Sequence, residues 1–200
     1  MKFPFRTKPA APAFVTIVSG LPRSGTSMMM KALEAGGLPV VTDAERTADE
    51  DNPKGYYEME SVKQMDKGDV AWLHSAPGKV VKVISALLEH LPAGYHYRVV
   101  FMQRAMPEVL ASQKKMLARR GEPTDRISDE EMTRLFTRHL QKVDTWLRAQ
   151  PNFAVLYVDY NRMLADPLPF VHQINQFLGG QLDEQRMAEV VDPQLYRNRA

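Results

Sequence analysis

The chain has 200 residues, 44% hydrophobic and 25% charged, with 26 basic against 24 acidic side chains and a formal charge of +2. That length suits one domain whose core needs no metal or disulfide staple, and the near-neutral balance excludes nucleic-acid binding by bulk charge, although the sequence pI of 8.8 leaves room for a local basic site. The absence of cysteine excludes disulfide scaffolds, thiolate nucleophiles and Cys-ligated zinc or iron–sulfur centres.

Residues 1–12 are basic and proline-rich and lack the apolar run of a signal peptide, so they are expected to form a loose tail before a single domain over 13–200. No run of about 18 apolar residues exists, so no membrane helix is expected and the cytoplasm is the default. The β-branched run Phe14–Ser19, ending at Gly20, predicts a buried parallel strand. Thr26–Glu34 carries Met28, Met29, Met30 and Leu33 and is closed by Gly36-Gly37, which predicts a helix. These methionines, like Trp72 and Trp146, read as core. Residues 43–56 are polar, with a turn at Asn52-Pro53-Lys54-Gly55. Further strands are predicted at Lys79–Ile84, Tyr97–Gln103 and Phe153–Tyr160, with a short one near Leu38–Val41.

Helices fill the gaps. One spans Pro107–Arg119, with proline in the first turn where its missing N–H costs nothing. Another opens at the capping box Ser128–Glu131 and carries Met132, Leu135, Phe136, Leu140, Val143 and Leu147 on one face. A third starts at Asp166-Pro167 and ends near Gly179-Gly180. Strands separated by helices imply βαβ crossovers. The expected fold is an α/β three-layer sandwich with a mainly parallel sheet of about four to five strands flanked by helices.

The segment Gly20-Leu-Pro22-Arg23-Ser24-Gly25-Thr26-Ser27 joins the first strand to the first helix. In that layout backbone N–H groups and the positive helix end converge on one point, an anion site. Its spacing nearly matches the phosphate loop GxxxxGK[ST], except that Thr26 stands where the lysine should be. The lysine of nucleotide triphosphatases reaches the β- and γ-phosphates, so its replacement argues against ordinary ATP or GTP hydrolysis. A cation remains inside the loop as Arg23, whose guanidinium can fork onto phosphate or sulfonate oxygens.

GLPRSGTS resembles the 5′-phosphosulfate loop of sulfotransferases that use 3′-phosphoadenosine 5′-phosphosulfate (PAPS). A second motif supports the resemblance. The family recognises the separate 3′-phosphate with an arginine that ends a core strand and a serine eight residues on; here Arg104 ends YRVVFMQ and Ser112 follows at that spacing. Position 104 falls at the carboxyl edge of the sheet, where ligands of open α/β folds bind. Lys82 lies where several sulfotransferases place a lysine that reaches the sulfonate. Their continuation is Lys-Thr-His with the His as base, whereas here it is Lys82-Val83-Ile84. The segment VLYVDYNRMLADP is similar to the family's last strand and helix and is expected to be scaffold. The resemblance covers about residues 14–180 and implies that the three-layer sandwich is of the P-loop NTPase-like type.

The resemblance implies sulfonate transfer from PAPS to a hydroxyl or amine of an unidentified small-molecule or peptide acceptor, leaving 3′-phosphoadenosine 5′-phosphate (PAP). No metal, nucleic acid or membrane partner is implied, and the sequence is silent on oligomeric state. Expected cofactor contacts are Pro22, Arg23, Ser24, Gly25, Thr26, Ser27, Arg104 and Ser112, with Arg197 and Arg199 covering the adenosine side. Arg23 and Lys82 are expected to stabilise the leaving bisphosphate. The base is Glu58, which follows two aromatics, or His74; His90, His96, His139 and His172 have no supporting context. The alternatives are a small-molecule or nucleotide kinase of the same fold and a nucleotide-binding module without catalysis.

Overall fold

The computed structural model describes residues 13–42 and 57–191. The expected tail 1–12, the turn at Asn52–Gly55, Arg197 and Arg199 lie outside the described residues. The elements run β1 (Val15–Gly20), α1 (Thr26–Ala35), α2 (Glu60–Lys63), β2 (Val80–Lys82), β3 (Tyr97–Gln103), α3 (Met106–Arg119), α4 (Asp129–Arg148), β4 (Phe153–Asp159), α5 (Tyr160–Ala165), α6 (Pro167–Leu178) and α7 (Glu184–Val190). Short 3₁₀ turns occupy Met65–Lys67, Ala71–Ser75 and Ser85–His90.

The four strands form one parallel sheet in the order β2-β1-β3-β4. The expected strand near Leu38–Val41 is a single bridge from Val40 to Val80. Every residue of β1 is buried, which is why an uncharged, β-branched run occupies the interior of the sheet. The register brings the strand ends level: Val18 lies beside Lys82, Gly20 beside Met102, and Gln103 beside Asp159. The loop after β1, Lys82 at the end of β2, Arg104 after β3 and Tyr160 after β4 therefore all emerge at one edge.

Period-two alternation sends side chains to two cores. Val15, Ile17, Val81, Val83, Val99 and Phe101 face Leu73, Leu88, Val143 and Leu147 on one side of the sheet. Val18, Val80, Val100, Met102 and Val158 face Met29, Met30, Leu33, Met163, Ile174 and Met187 on the other. Met29 and Met30 of α1 are thus core, as expected, and Trp72 lies in the first cluster, whereas Met28 and Trp146 are partly buried against the two clusters.

α4 behaves differently from its sequence pattern. Ser128 caps it, its Oγ accepting from the Glu131 N–H at 3.2 Å. Of its apolar stripe, however, only Val143 and Leu147 are buried, and Leu135 is 42% exposed. A 20-residue helix is about 30 Å long, whereas a seven-residue strand spans about 23 Å. The helix exceeds the sheet face it covers. Its last two turns pack on the sheet, while the earlier apolar positions are half-covered. Beneath α4, beside the Ser85–His90 turn, a cavity of about 120 Å³ contains Ser85, whose Oγ is 2.8 Å from Nε2 of His139. Among the described residues no helix is long and apolar enough to cross a membrane.

Candidate active site

The loop between β1 and α1 is shaped by three residues in the left-handed region of backbone space: Gly20 (φ +147°), Arg23 (φ +73°) and Gly25 (φ +99°). A Cβ at Gly20 would come within 2.7 Å of the Met102 carbonyl oxygen, and one at Gly25 would overlap the Tyr160 ring. Glycine is therefore required by space as well as by φ. Arg23 has no such freedom, and a non-glycine residue there costs about 1–3 kcal/mol. It is held at both ends. Its carbonyl accepts from Nη1 of Arg104 at 3.0 Å, and its own Nε donates to Ser112 Oγ at 2.9 Å.

Gly25 is the N-cap of α1, which has no side-chain cap among the described residues and no acidic residue in its first turn, so the positive end of a ten-residue helix faces the loop. Ser24 is 1% exposed, and its Oγ has no hydrogen-bond partner among the described residues. A buried hydroxyl without a partner costs about 1–3 kcal/mol. Both features suit an anion seated in the loop.

Arg104 stands one residue past β3. Its Nε donates to Oε2 of Glu108 at 2.9 Å, and its guanidinium lies 4.7 Å from the centre of the Tyr160 ring. Side-chain exposure is 7% for Arg104 and 4% for Glu108, so this ion pair is buried. The other Glu108 oxygen accepts from Nδ2 of Asn161 at 2.8 Å, and Asn161 Oδ1 accepts from the Ala105 N–H at 3.2 Å. Ser112, one turn beyond Glu108 on α3, reaches back to Arg23. The expected 5′ and 3′ subsites are thus one connected structure: Arg23, assigned to the first, hydrogen-bonds Ser112, assigned to the second.

Lys82 is 9% exposed at the end of β2. Its Nζ donates to Ser27 Oγ at 3.3 Å and lies 3.5 Å from Oε1 of Glu58. The second Glu58 oxygen is 3.5 Å from Nζ of Lys63. Lys63 is held above the usual lysine range, chiefly by its hydrogen bond to Glu60 and also by Glu58. Tyr57 (φ +51°) anchors the segment, its hydroxyl donating to Oε2 of Glu34 on α1 at 2.5 Å. Burial, with Glu34 adding to it, pushes the phenol above its ordinary value, so it remains a neutral donor.

Arg23, Ser24, Gly25, Thr26, Ser27, Lys82, Glu58, Arg104 and Ser112 therefore gather at the carboxyl edge, with Pro22 exposed on the loop's shoulder. His74 does not join them. It is exposed, and its Nδ1 lies 3.4 Å from the Tyr95 hydroxyl, just before the amino end of β3. That is the opposite end of the sheet. The Asp159-Tyr160-Asn161 stretch, expected to be scaffold, is not only that: Tyr160 packs under Arg104 and against Gly25, and Asn161 supports Glu108. Sequence reading missed Glu108, Tyr160 and Asn161, although Glu108 lies within the same Arg104–Ser112 spacing.

A parallel sheet with a glycine-bounded loop before α1 and a buried arginine after the neighbouring strand defines an α/β protein of the P-loop-like class. The sulfotransferase domain family matches residues 15–198, and the chain belongs to that family. Its reaction class is sulfonate transfer from PAPS.

Solved structures agree on the fold. A sulfotransferase from Mycobacterium tuberculosis superimposes with a TM-score of 0.56 at 17% identity, over 90% of this chain and 71% of the other. The sulfotransferase domain of the Synechococcus olefin synthase gives 0.51 at 14% identity, over 97% and 86%. A mouse sulfotransferase complexed with PAP gives 0.51 at 19%, over 91% of this chain but only 63% of its own length. No curated protein matches the chain.

The residues present fit a phosphosulfate donor: an uncapped helix end, an unsatisfied buried Ser24 hydroxyl, and Arg23, Lys82 and Arg104 around them. Among the described residues no group of three or more His, Asp or Glu side chains is placed to hold a metal ion.

Proposed function

We propose that the loop Pro22–Ser27 holds the 5′-phosphosulfate of PAPS, that Arg104 and Ser112 hold the 3′-phosphate, and that Glu58 deprotonates the acceptor. PAPS supplies an electrophilic sulfur and a bisphosphate leaving group. The remaining tasks fall to this chain's side chains. Arg23 and the N–H groups of the loop and of α1 present positive potential to the oxygens of the leaving phosphate. The Lys82 ammonium supplies charge at the sulfonate, because its Nζ already reaches Ser27 of the loop. The Glu58 carboxylate accepts the proton of the acceptor hydroxyl or amine as the new bond to sulfur forms.

The observation that carries this reading is the position of Lys82 between Ser27 Oγ at 3.3 Å and Glu58 Oε1 at 3.5 Å. One ammonium group therefore connects the anion loop to the only carboxylate proposed as base. Two residues further on, Ile84 stands where the family resemblance expects the catalytic His and is 38% exposed. An apolar side chain beside Lys82 supports an acceptor with an apolar body next to its reacting hydroxyl or amine.

The test is a thermal-shift comparison of PAP, ATP with Mg²⁺, and AMP. A ligand at about 1,000 times its Kd stabilises the fold by about 4 kcal/mol. PAP is expected to give the largest shift. A larger shift with ATP and Mg²⁺ would favour a kinase of the same fold and overturn the reading.

A further inference from the structure

A guanidinium held in one orientation grips a 3′-phosphate at a lower ordering cost than a mobile one. We propose that Glu108 and Asn161 are positioning residues that fix that of Arg104 through a directional relay. The relay begins at a backbone group that can only donate. The Ala105 N–H donates to Asn161 Oδ1, which forces the amide nitrogen of Asn161 to the other side. That nitrogen donates to Glu108 Oε1, and Glu108 Oε2 accepts from Arg104 Nε. Arg104 Nη1 in turn donates to the carbonyl of Arg23, the strained residue of the anion loop.

The relay thus joins the end of β3, the start of α5, the first turn of α3 and the phosphate loop. It occupies the Nε edge of Arg104 with a buried carboxylate, and the Tyr160 ring covers one face of the guanidinium. The orientation of Arg104 is then set before any ligand arrives, which lowers the ordering cost of binding. Because the same guanidinium grips the Arg23 carbonyl, the grip on the 3′-phosphate and the shape of the 5′ loop depend on one another. This inference rests on the assignment of Arg104 to the 3′-phosphate.

The polarity of the relay makes it testable by inversion. In Glu108→Gln, the new amide nitrogen meets the amide nitrogen of Asn161, or else Asn161 turns and sets its own nitrogen against the Ala105 N–H. In Asn161→Asp, two carboxylates face each other across a hydrogen-bond distance. The double variant Glu108→Gln/Asn161→Asp restores every step: Ala105 N–H to Asp oxygen, Gln nitrogen to the second Asp oxygen, Arg104 Nε to the Gln oxygen. The carboxylate has only moved one place along.

The experiment is calorimetric titration of the full chain and the three variants with PAP and with AMP, which lacks the 3′-phosphate. Hydrogen bonds to charged groups are worth enough for about a tenfold or greater change. Each single variant is therefore expected to lower the PAP-over-AMP preference about tenfold or more, with AMP affinity less affected, and the double variant to recover most of it. Single variants that keep the wild-type preference, or a double variant no better than the worse single, would overturn the relay. Should a single variant fail to fold, the double variant decides: folded and selective supports the relay, while folded and unselective, or unfolded, refutes it. A wild-type chain that does not prefer PAP over AMP would instead overturn the 3′-phosphate assignment itself.

Discussion

The two halves of the site are built differently. Around Arg104 the charged side chains are 4–7% exposed and their hydrogen bonds are 2.8–3.0 Å long. Around Glu58 the carboxylate is 25% exposed, its partner Lys63 is 49% exposed, and both ion-pair distances are 3.5 Å. Buried, interlocked bonds fix a geometry in advance, whereas longer, solvated pairs are worth about 1 kcal/mol or less and rearrange readily. The half assigned to the cofactor is thus preset for a ligand that never changes. The half assigned to the acceptor and its proton is left adjustable.

That contrast can be broken most sharply at Glu58. Glu58→Gln is expected to cut transfer of label from PAPS to any competent acceptor by about 10²–10⁴-fold, while PAP binding measured by calorimetry stays at the wild-type level. Loss of PAP binding in this variant would mean that the two halves are not separable. Gly25→Ala tests the preset half from the other side. Its Cβ would overlap the Tyr160 ring at a positive φ, so a loss of about 1–3 kcal/mol in stability and a weakened response to PAP are expected in thermal unfolding. An unchanged melting temperature would show that the loop is softer than its packing implies.

Tyr57→Phe removes the hydroxyl that ties the Glu58 segment to Glu34. The net worth of one such bond is about 1 kcal/mol. A several-fold fall in turnover with unchanged PAP affinity is expected, and a change in PAP affinity would argue that this side is preset as well. The smallest effect lies outside the site. Burial, then the nearby Lys142 charge, lower the pKa of His139 below its ordinary 6.5. Protonating it costs more in the folded chain than in the unfolded one. Its contribution to stability is therefore full above pH 6.5 and declines as the pH falls below that value. His139→Gln should flatten that part of the stability profile measured by denaturant titration; an unaltered slope would remove His139 from the account.

What was legible in the sequence follows from how local each signal is. β3 was readable to the residue because the apolar run Val99–Met102 follows a turn, and α1 to within one residue because glycines bracket it. The loop Gly20–Gly25 and the Arg104–Ser112 spacing were readable because each runs along a single strand–helix joint, β1–α1 and β3–α3. β2 came out shorter than its apolar run, since the chain turns into the 3₁₀ segment at Ser85. The relay was not readable. Asn161 and Glu108 are 53 positions apart, and only the parallel register of β3 beside β4 puts the two strand ends together. Likewise, the amphipathic stripe of α4 gave the correct helix but not its burial, because the stripe does not reveal how much sheet lies beneath it.

In the proposed site, this edge of the sheet recognises two separate anions and Arg104 reads the 3′ one. Calorimetric titration of the wild-type chain and of Arg104→Ala with PAP and AMP tests it most directly. The wild type is expected to prefer PAP by about tenfold or more, and Arg104→Ala to bind the two ligands alike while remaining folded. Retention of the full PAP preference by folded Arg104→Ala would contradict it.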